Sequence, residues 1–209
     1  MVGSSAKYAD KAERWSDEQY ADAAAYLGHR AELVRSLGPE LEPGDTVLDF
    51  ACGDAGLADF LLPHGLAYLG VDGSAEMVAA ARERLGERGR AELGDLNDYE
   101  PPAPVAATTV FRAIYYARDR EAFFRRAAGF TERKLVFDLN PRQFPLRQIR
   151  AELAAAGFTR LDLRPFLVPQ NVALPGPLRR LAVALEPTPL SALALRFRFT
   201  YVLAASRPG

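Results

Sequence analysis

Three aspartates at even spacing are the first feature with chemical content. Asp49 lies in the apolar run Thr46–Phe50, Asp72 falls 23 residues later, and Asp95 follows after another 23. Around the first, Val47-Leu48-Asp49-Phe50-Ala51-Cys52-Gly53-Asp54-Ala55-Gly56 reads as a buried strand entering a loop of small residues and then a helix. Small residues let a backbone approach a ligand closely, and open α/β sheets bind ligands at the carboxyl ends of their strands. A carboxylate ending the second strand can accept two hydrogen bonds from a ribose diol. Asp49, Asp72 and Asp95 would then line one edge of a sheet that binds a nucleoside. Cys52 reads as packing in a tight loop rather than as a nucleophile, since nothing nearby offers a base.

The elements that must position these acids alternate. Strands are expected at Thr46–Phe50, Ala67–Val71, Ala91–Gly94, Ala107–Phe111 and Lys134–Leu139, with helices at Gly56–Leu62, Ala75–Leu85, Arg118–Ala128 and Pro145–Ala156. Ser74 suits the N-cap of the second helix, whose Met77, Ala81 and Leu85 share a face, and Gly157 suits the exit of the last. This alternation predicts an α/β fold with a doubly wound, mostly parallel sheet. Thr159–Phe166 and Leu195–Leu203 follow without a full crossover helix, so the last strand should be antiparallel, completing about seven strands. In that last strand Leu195, Phe197, Phe199, Tyr201 and Leu203 would share one face. Residues 1–43, with Tyr8, Trp15, Tyr20 and Tyr26 among charges, read as a helical cap on a domain of residues 44–209. A proline-punctuated insertion at about 170–194, with a short helix at Leu178–Leu185, reads as a lid.

A nicotinamide-binding oxidoreductase shares the ribose-binding acid. Its G-x-G-x-x-G loop is absent, however, and Asp49 would meet a pyrophosphate with negative charge. A ligand carrying an ammonium and a sulfonium gains from that acid. At these residues the chain resembles the class I S-adenosylmethionine (SAM)-dependent methyltransferases. Val47–Gly56 is similar to their first motif, Tyr68-Leu69-Gly70-Val71-Asp72-Gly73-Ser74-Ala75-Glu76-Met77 to their second and Gly94-Asp95-Leu96 to their third. The fold this implies is Rossmann-like. The resemblance implies that Asp49 and the backbone of Ala51, Cys52, Gly53 and Gly56 lie near the methionine moiety. It further implies that Asp72 holds the ribose, Met77 packs on adenine and Asp95 faces the adenine amino group, with Asp98 or Asn97 in its place if the strand ends later. Gly73, Leu96, Phe111 and Arg112 complete the implied cofactor contacts, and Arg30 is a candidate for the SAM carboxylate. Ala51 departs from the family's usual glycine, which should alter fit rather than abolish binding.

The expected activity is methyl transfer from SAM to an O, N or C atom of a small-molecule acceptor. A SAM-binding regulatory module without catalysis is the second reading. Candidate catalytic side chains are Tyr115 in the loop after the fourth strand, Asn140 after the fifth and His29 in the cap, the last serving either as general base or merely as surface. His64 lies in a helix-exit turn and reads as solvated.

Charge adds a partner question. The 209 residues carry a net charge of −1, but residues 1–141 hold −8 and residues 142–209 hold +7. The near-zero total argues against nucleic acid as a partner. In the basic third, Arg164, Arg179, Arg180, Arg196 and Arg198 flank the insertion, and could either meet an apolar anionic acceptor or a membrane surface, or form a solvated face. The single cysteine rules out an intrachain disulfide and a four-thiolate metal site; no metal site is expected. No apolar run is long enough to span a membrane and residues 1–10 lack a signal-like apolar region, so a cytoplasmic protein is expected. Oligomeric state leaves no mark in the sequence.

Overall fold

The computed structural model describes residues 16, 19–140, 142–191 and 200–207. Its elements run α1 (Ala23–Ser36), β1 (Thr46–Phe50), α2 (Ala58–Leu61), β2 (Ala67–Asp72), α3 (Ala75–Leu85), β3 (Arg90–Leu93), β4 (Val105–Val110), α4 (Arg120–Phe130), β5 (Thr131–Leu139), α5 (Leu146–Ala155), β6 (Arg160–Phe166), α6 (Gly176–Leu185) and β7 (Thr200–Ser206). Seven strands form one sheet in the order β3-β2-β1-β4-β5-β7-β6. β1 pairs in parallel with both β2 and β4, whereas β7 is antiparallel to β5 and to β6. The strand order reverses between β1 and β4, and the crevice above such a point is where doubly wound sheets bind ligands.

Two apolar cores cover the two faces. Period-two alternation sends Val47 of β1 to one core, with Leu27 and Val34 of α1 and Val78 of α3. Leu48 and Phe50 go to the other, with Phe123 and Phe124 of α4, Phe137 and Leu153. The helices start where local chemistry starts them. Ser74 accepts the Met77 N–H at 3.3 Å and Asp119 accepts that of Ala122 at 3.0 Å. Gly157, at φ 95°, takes the left-handed turn that ends α5. α1 is tied down from below: Lys134, fully buried in β5, donates from Nζ to the carbonyls of Leu37 (2.8 Å) and Arg35 (3.1 Å) at the helix end.

Three expectations change. The helix expected over Gly56–Leu62 shrinks to Ala58–Leu61 plus a 3-10 turn at Leu62–His64, because residues 51–57 are spent on a tight loop. The last strand has no single apolar face: Val202 and Leu203 are both fully buried, since β7 lies inside the sheet with helices on both sides. It also continues to Ser206; Leu195, Phe197 and Phe199 lie outside the described residues, as do Tyr8, Trp15, Arg196 and Arg198. No helix among the described residues is long and apolar enough to cross a membrane.

Candidate active site

The loop after β1 turns sharply by placing Ala51, Gly53 and Ala55 at φ 54°, 58° and 58°. An alanine in this left-handed region costs about 1–2 kcal/mol relative to the right-handed one. Two aspartates hold the loop against that strain. Buried Asp54 accepts the N–H and hydroxyl of Ser16, the Gly56 N–H (3.2 Å) and Arg84 Nη2 (2.8 Å). Asp72, at the end of β2, accepts the Gly53 and Ser74 N–H groups, each at 2.9 Å. Gly56 has no room for a side chain, since a Cβ there would stand 2.3 Å from Ser16 Oγ. Cys52 fills the gap above Gly70. Burial first, then Asp49, Asp72 and Asp54, push its thiol well above the ordinary pKa, so it is a poor nucleophile.

Asp49 sits under this loop, buried, and accepts hydrogen bonds from Tyr68 Oη (2.6 Å) and Thr109 Oγ1 (2.5 Å). Burial raises its pKa to about 6 despite those bonds, so it is mostly ionised at neutral pH and uncharged in mild acid. Burial also raises Asp72, against its backbone hydrogen bonds. At Asp95 burial acts the same way but loses: hydrogen bonds from Asn97 and Arg118 hold the carboxyl below its usual range. Arg118 Nη2 lies 2.7 Å from Asp95.

The β4 and β5 side of the crevice is built from a different chemistry. Arg30 of α1, 1% exposed, pairs with Asp138 of β5 and donates to Tyr26 Oη at 2.9 Å. Its guanidinium carbon lies 4.7 Å from the Tyr26 ring centre and 4.4 Å from that of Phe111, and Tyr20 stacks on Tyr26 at 4.4 Å. Burial opposes its charge, but Tyr26 and Asp138 outweigh burial and raise its pKa. The second Asp138 oxygen accepts the Arg112 N–H at 2.6 Å, which pins Arg112 at φ 55°.

These two sides face one cleft of about 1020 Å³, at the top of the roughly 300–1,000 Å³ range of small-molecule sites. Every residue expected to contact the cofactor, from Arg30 and Asp49 through Gly73 and Met77 to Leu96, Phe111 and Arg112, lines it, and so does Tyr115. Two expected catalytic residues do not. His29 faces away, its Nε2 2.7 Å from Glu186 and its ring stacked on Phe166, in a shallow groove between α1 and α6. Asn140 closes a turn instead, its Oδ1 accepting the Arg142 N–H at 3.0 Å. The described arginines that flank the insertion also turn elsewhere: Arg164, Arg179 and Arg180 are absent from the lining, and Arg179 instead reaches Asp22 of the cap at 3.3 Å. The segment before α6 braces the cap too, since Ala21 N–H donates to the Gln170 carbonyl at 2.9 Å. Lining residues that sequence reasoning passed over include Ser16, Gln19 and Tyr20, and Asp138 holds the Arg30 side of the cleft in place. The one signal for Asp138 is an acid inside the apolar strand Leu135-Val136-Phe137-Asp138-Leu139.

Comparison with known proteins agrees with this geometry. Residues 47–133 match a family described as a methyltransferase domain. An uncharacterized methyltransferase of Geobacillus thermodenitrificans (strain NG80-2) is 32% identical over 106 residues, 50% of this chain and 47% of the relative. The match thus spans about half the length of that curated relative. Among solved structures, a chain of the complex between the Haloferax volcanii Trm112 methyltransferase activator and the putative methyltransferase superposes with TM-score 0.65 at 18% identity, covering 97% of this chain and 98% of that one. A TehB-like SAM-dependent methyltransferase from Corynebacterium glutamicum gives 0.63 at 16% identity over 97% and 99%. Magnesium protoporphyrin IX methyltransferase from Synechocystis PCC 6803, with bound SAM, gives 0.57 at 18% identity over 96% and 84%. Residues 47–133 thus resemble a methyltransferase domain, and the chain shares the fold of these solved methyltransferases.

The residues present fit SAM, the ligand bound in the Synechocystis structure. Carboxylates at the ends of β1 and β2, neither paired with a cation among the described residues, suit an ammonium and a ribose diol. A Cβ on Gly73 would meet nothing nearer than the Gly94 carbonyl at 3.9 Å, so backbone and ligand can approach closely there. Met77 and Leu96 supply apolar contact beside Asp95.

Proposed function

We propose that the protein transfers the methyl group of SAM to an O, N or C atom of a small-molecule acceptor. The observation that carries this reading is the division of the cleft: acids at the ends of β1–β3, and an arginine–aromatic wall at β4, β5 and α1, with space for two ligands between them. SAM would be held by Asp49, the backbone of residues 51–56, Asp72, Met77 and Asp95. When bound it supplies a methyl group activated by sulfonium, open to in-line displacement.

The protein's own part is alignment. Asp72, fixed by two backbone N–H donors, keeps its remaining lone pairs for hydroxyls. Ionised Asp49, oriented by Tyr68 and Thr109, offers a fixed negative charge to a cationic amine. The stacked wall of Tyr20, Tyr26, Arg30 and Phe111 limits where an acceptor can stand and excludes water. Holding two reactants in attack geometry can lower a barrier by ~7–11 kcal/mol. An acidic acceptor such as a phenol or enol then needs little help from a base, and Tyr115 is the candidate side chain left in the cleft to orient it.

Calorimetric titration with S-adenosylhomocysteine and with NAD tests the reading. Micromolar binding of the first and none of the second are expected. Asp72→Ala should weaken S-adenosylhomocysteine by about 10- to 100-fold, the worth of one or two lost hydrogen bonds. Equal affinity in that variant would remove the ribose assignment, and absence of binding in the parent would overturn the function.

A further inference from the structure

Among the described residues, methyl-donor binding leaves one cation of the cleft without a task. Arg112 lines the β4 side and is exposed to it. Its backbone adopts φ 55°, outside the range a side chain prefers, and is held there by the Asp138 carboxylate. Among the described residues its guanidinium has no hydrogen bond or ion pair. The neighbouring arginines differ: Arg30 pairs with Asp138, Arg118 with Asp95 and Arg84 with Asp54. Beside it, buried Arg30 keeps one donor unused, because Nε has no hydrogen-bond partner. Phe111 and Tyr20 line the same wall with ring surface. The exposed Arg112 guanidinium, with the buried Arg30 charge behind it and aromatic faces beside it, forms a site for a planar oxyanion attached to a ring. The acids of the cleft lie on the other side, at the ends of β1, β2 and β3, so an anion at Arg112 avoids them.

We infer that Arg112, with Arg30 behind it, binds the anionic group of the methyl acceptor, and that the acceptor is an aromatic carboxylate whose ring lies against Phe111 and Tyr20. Arg112 is thereby assigned to the acceptor rather than to SAM. The inference rests on the methyl-transfer reading and fails separately from it.

The test titrates protein saturated with S-adenosylhomocysteine with 4-hydroxybenzoate and with its neutral counterpart, 4-hydroxybenzyl alcohol. The carboxylate should bind at least about tenfold more tightly, the scale of a charge-assisted bidentate contact. Arg112→Gln, which keeps the backbone strain, should bring the two ligands within about twofold, and Arg112→Lys should restore part of the gap. S-adenosylhomocysteine affinity of Arg112→Gln should stay within about threefold of the parent, in keeping with a residue outside the donor site. Equal binding of the two probes, or no binding of either to the loaded protein, would overturn the inference and leave the methyl-transfer reading standing. Loss of S-adenosylhomocysteine affinity in Arg112→Gln would give this arginine to the donor's carboxylate instead. Failure of the parent to bind S-adenosylhomocysteine would remove both.

Discussion

The two walls of the cleft differ in charge and in how they are made. The wall at β1, β2 and β3 is acidic and local: Asp49, Asp72 and Asp95 each end or follow a strand, and their partners are mostly backbone N–H groups and nearby hydroxyls. The wall at β4, β5 and α1 is cationic and aromatic, and its central pair, Arg30 with Asp138, joins residues 108 apart in sequence. The first wall leaves Asp49 and Asp72 without a cation partner among the described residues, open to a ligand, while Asp95 holds Arg118. The second spends its charges on holding the cap to the sheet and, among the described residues, keeps only Arg112 for anything else. Changes to the acidic wall should therefore alter affinity first, and changes to the buried pair should alter stability first.

The sharpest way to break this contrast is Arg30→Met. It leaves Asp138 buried without its cation, and an uncompensated buried charge costs about 3–5 kcal/mol. A large fall in the urea midpoint is expected, partly recovered in Arg30→Met/Asp138→Asn, where the acceptor for the Arg112 N–H survives without a charge. A change of less than about 1 kcal/mol would show that the pair does not hold the cap.

Lys134 separates stability from binding, because it is buried and does not line the cleft. Its folded pKa is lowered to about 8, chiefly by burial, against about 10.4 in an unfolded chain. The folded state therefore releases its proton first, and stability should rise as pH goes from about 8 to about 10.4, by up to about 3 kcal/mol relative to Lys134→Met. Parallel pH profiles for parent and variant would contradict this. S-adenosylhomocysteine affinity should not change between them.

Asp49 sharpens the acidic side. Its folded pKa of about 6 exceeds the unfolded value, so its contribution to stability is present below about pH 3.9 and lost as pH rises through 6. Binding of a cationic amine runs the other way, since it needs the carboxylate. Affinity for S-adenosylhomocysteine should drop by about tenfold between pH 7 and pH 5, and Asp49→Asn should flatten that profile. A profile that is the same for both proteins would take the amine away from Asp49.

The smallest effect expected is at Ala51. Glycine there removes left-handed strain of about 1–2 kcal/mol but adds unfolded-state freedom of about 0.5–1 kcal/mol, for a net gain of about 0–1.5 kcal/mol. Thermal unfolding of Ala51→Gly should move up by a few degrees or less, and a clear fall would show that the methyl group packs usefully.

What can be read from the sequence follows the same division. Ser74 as a cap, Met77, Ala81 and Leu85 as a buried face, and the loop Ala51–Gly56 are all visible because the signals lie within a few residues of one another. The parallel direction of the strands through β5 follows from the alternation of strands and helices, whereas their order in the sheet is not written in it. Partnerships across long separations are not visible in this way. His29 is chemically suited to be a base, yet Glu186, 157 residues away, draws it into the interface of α1 and α6. Asp54 looks like one more loop acid until Ser16 and Arg84 are seen on it. The arginine-rich third suggests an acceptor site by composition, whereas among the described residues the cations that line the cleft are Arg30, Arg112 and Arg118, all from the acidic part of the chain. β7 looks half-exposed from its alternation because nothing local reveals that β6 will lie outside it.

The most direct measurement of the central claim is the position of S-adenosylhomocysteine in a crystal of the complex. The nucleoside is expected between Asp72 and Asp95, with the adenine over Met77, and the amino group near Asp49. The space beside Tyr20, Phe111 and Arg112 should stay open for the acceptor. A nucleoside bound against the Arg30 wall, or a complex that forms without engaging Asp72, would contradict the account.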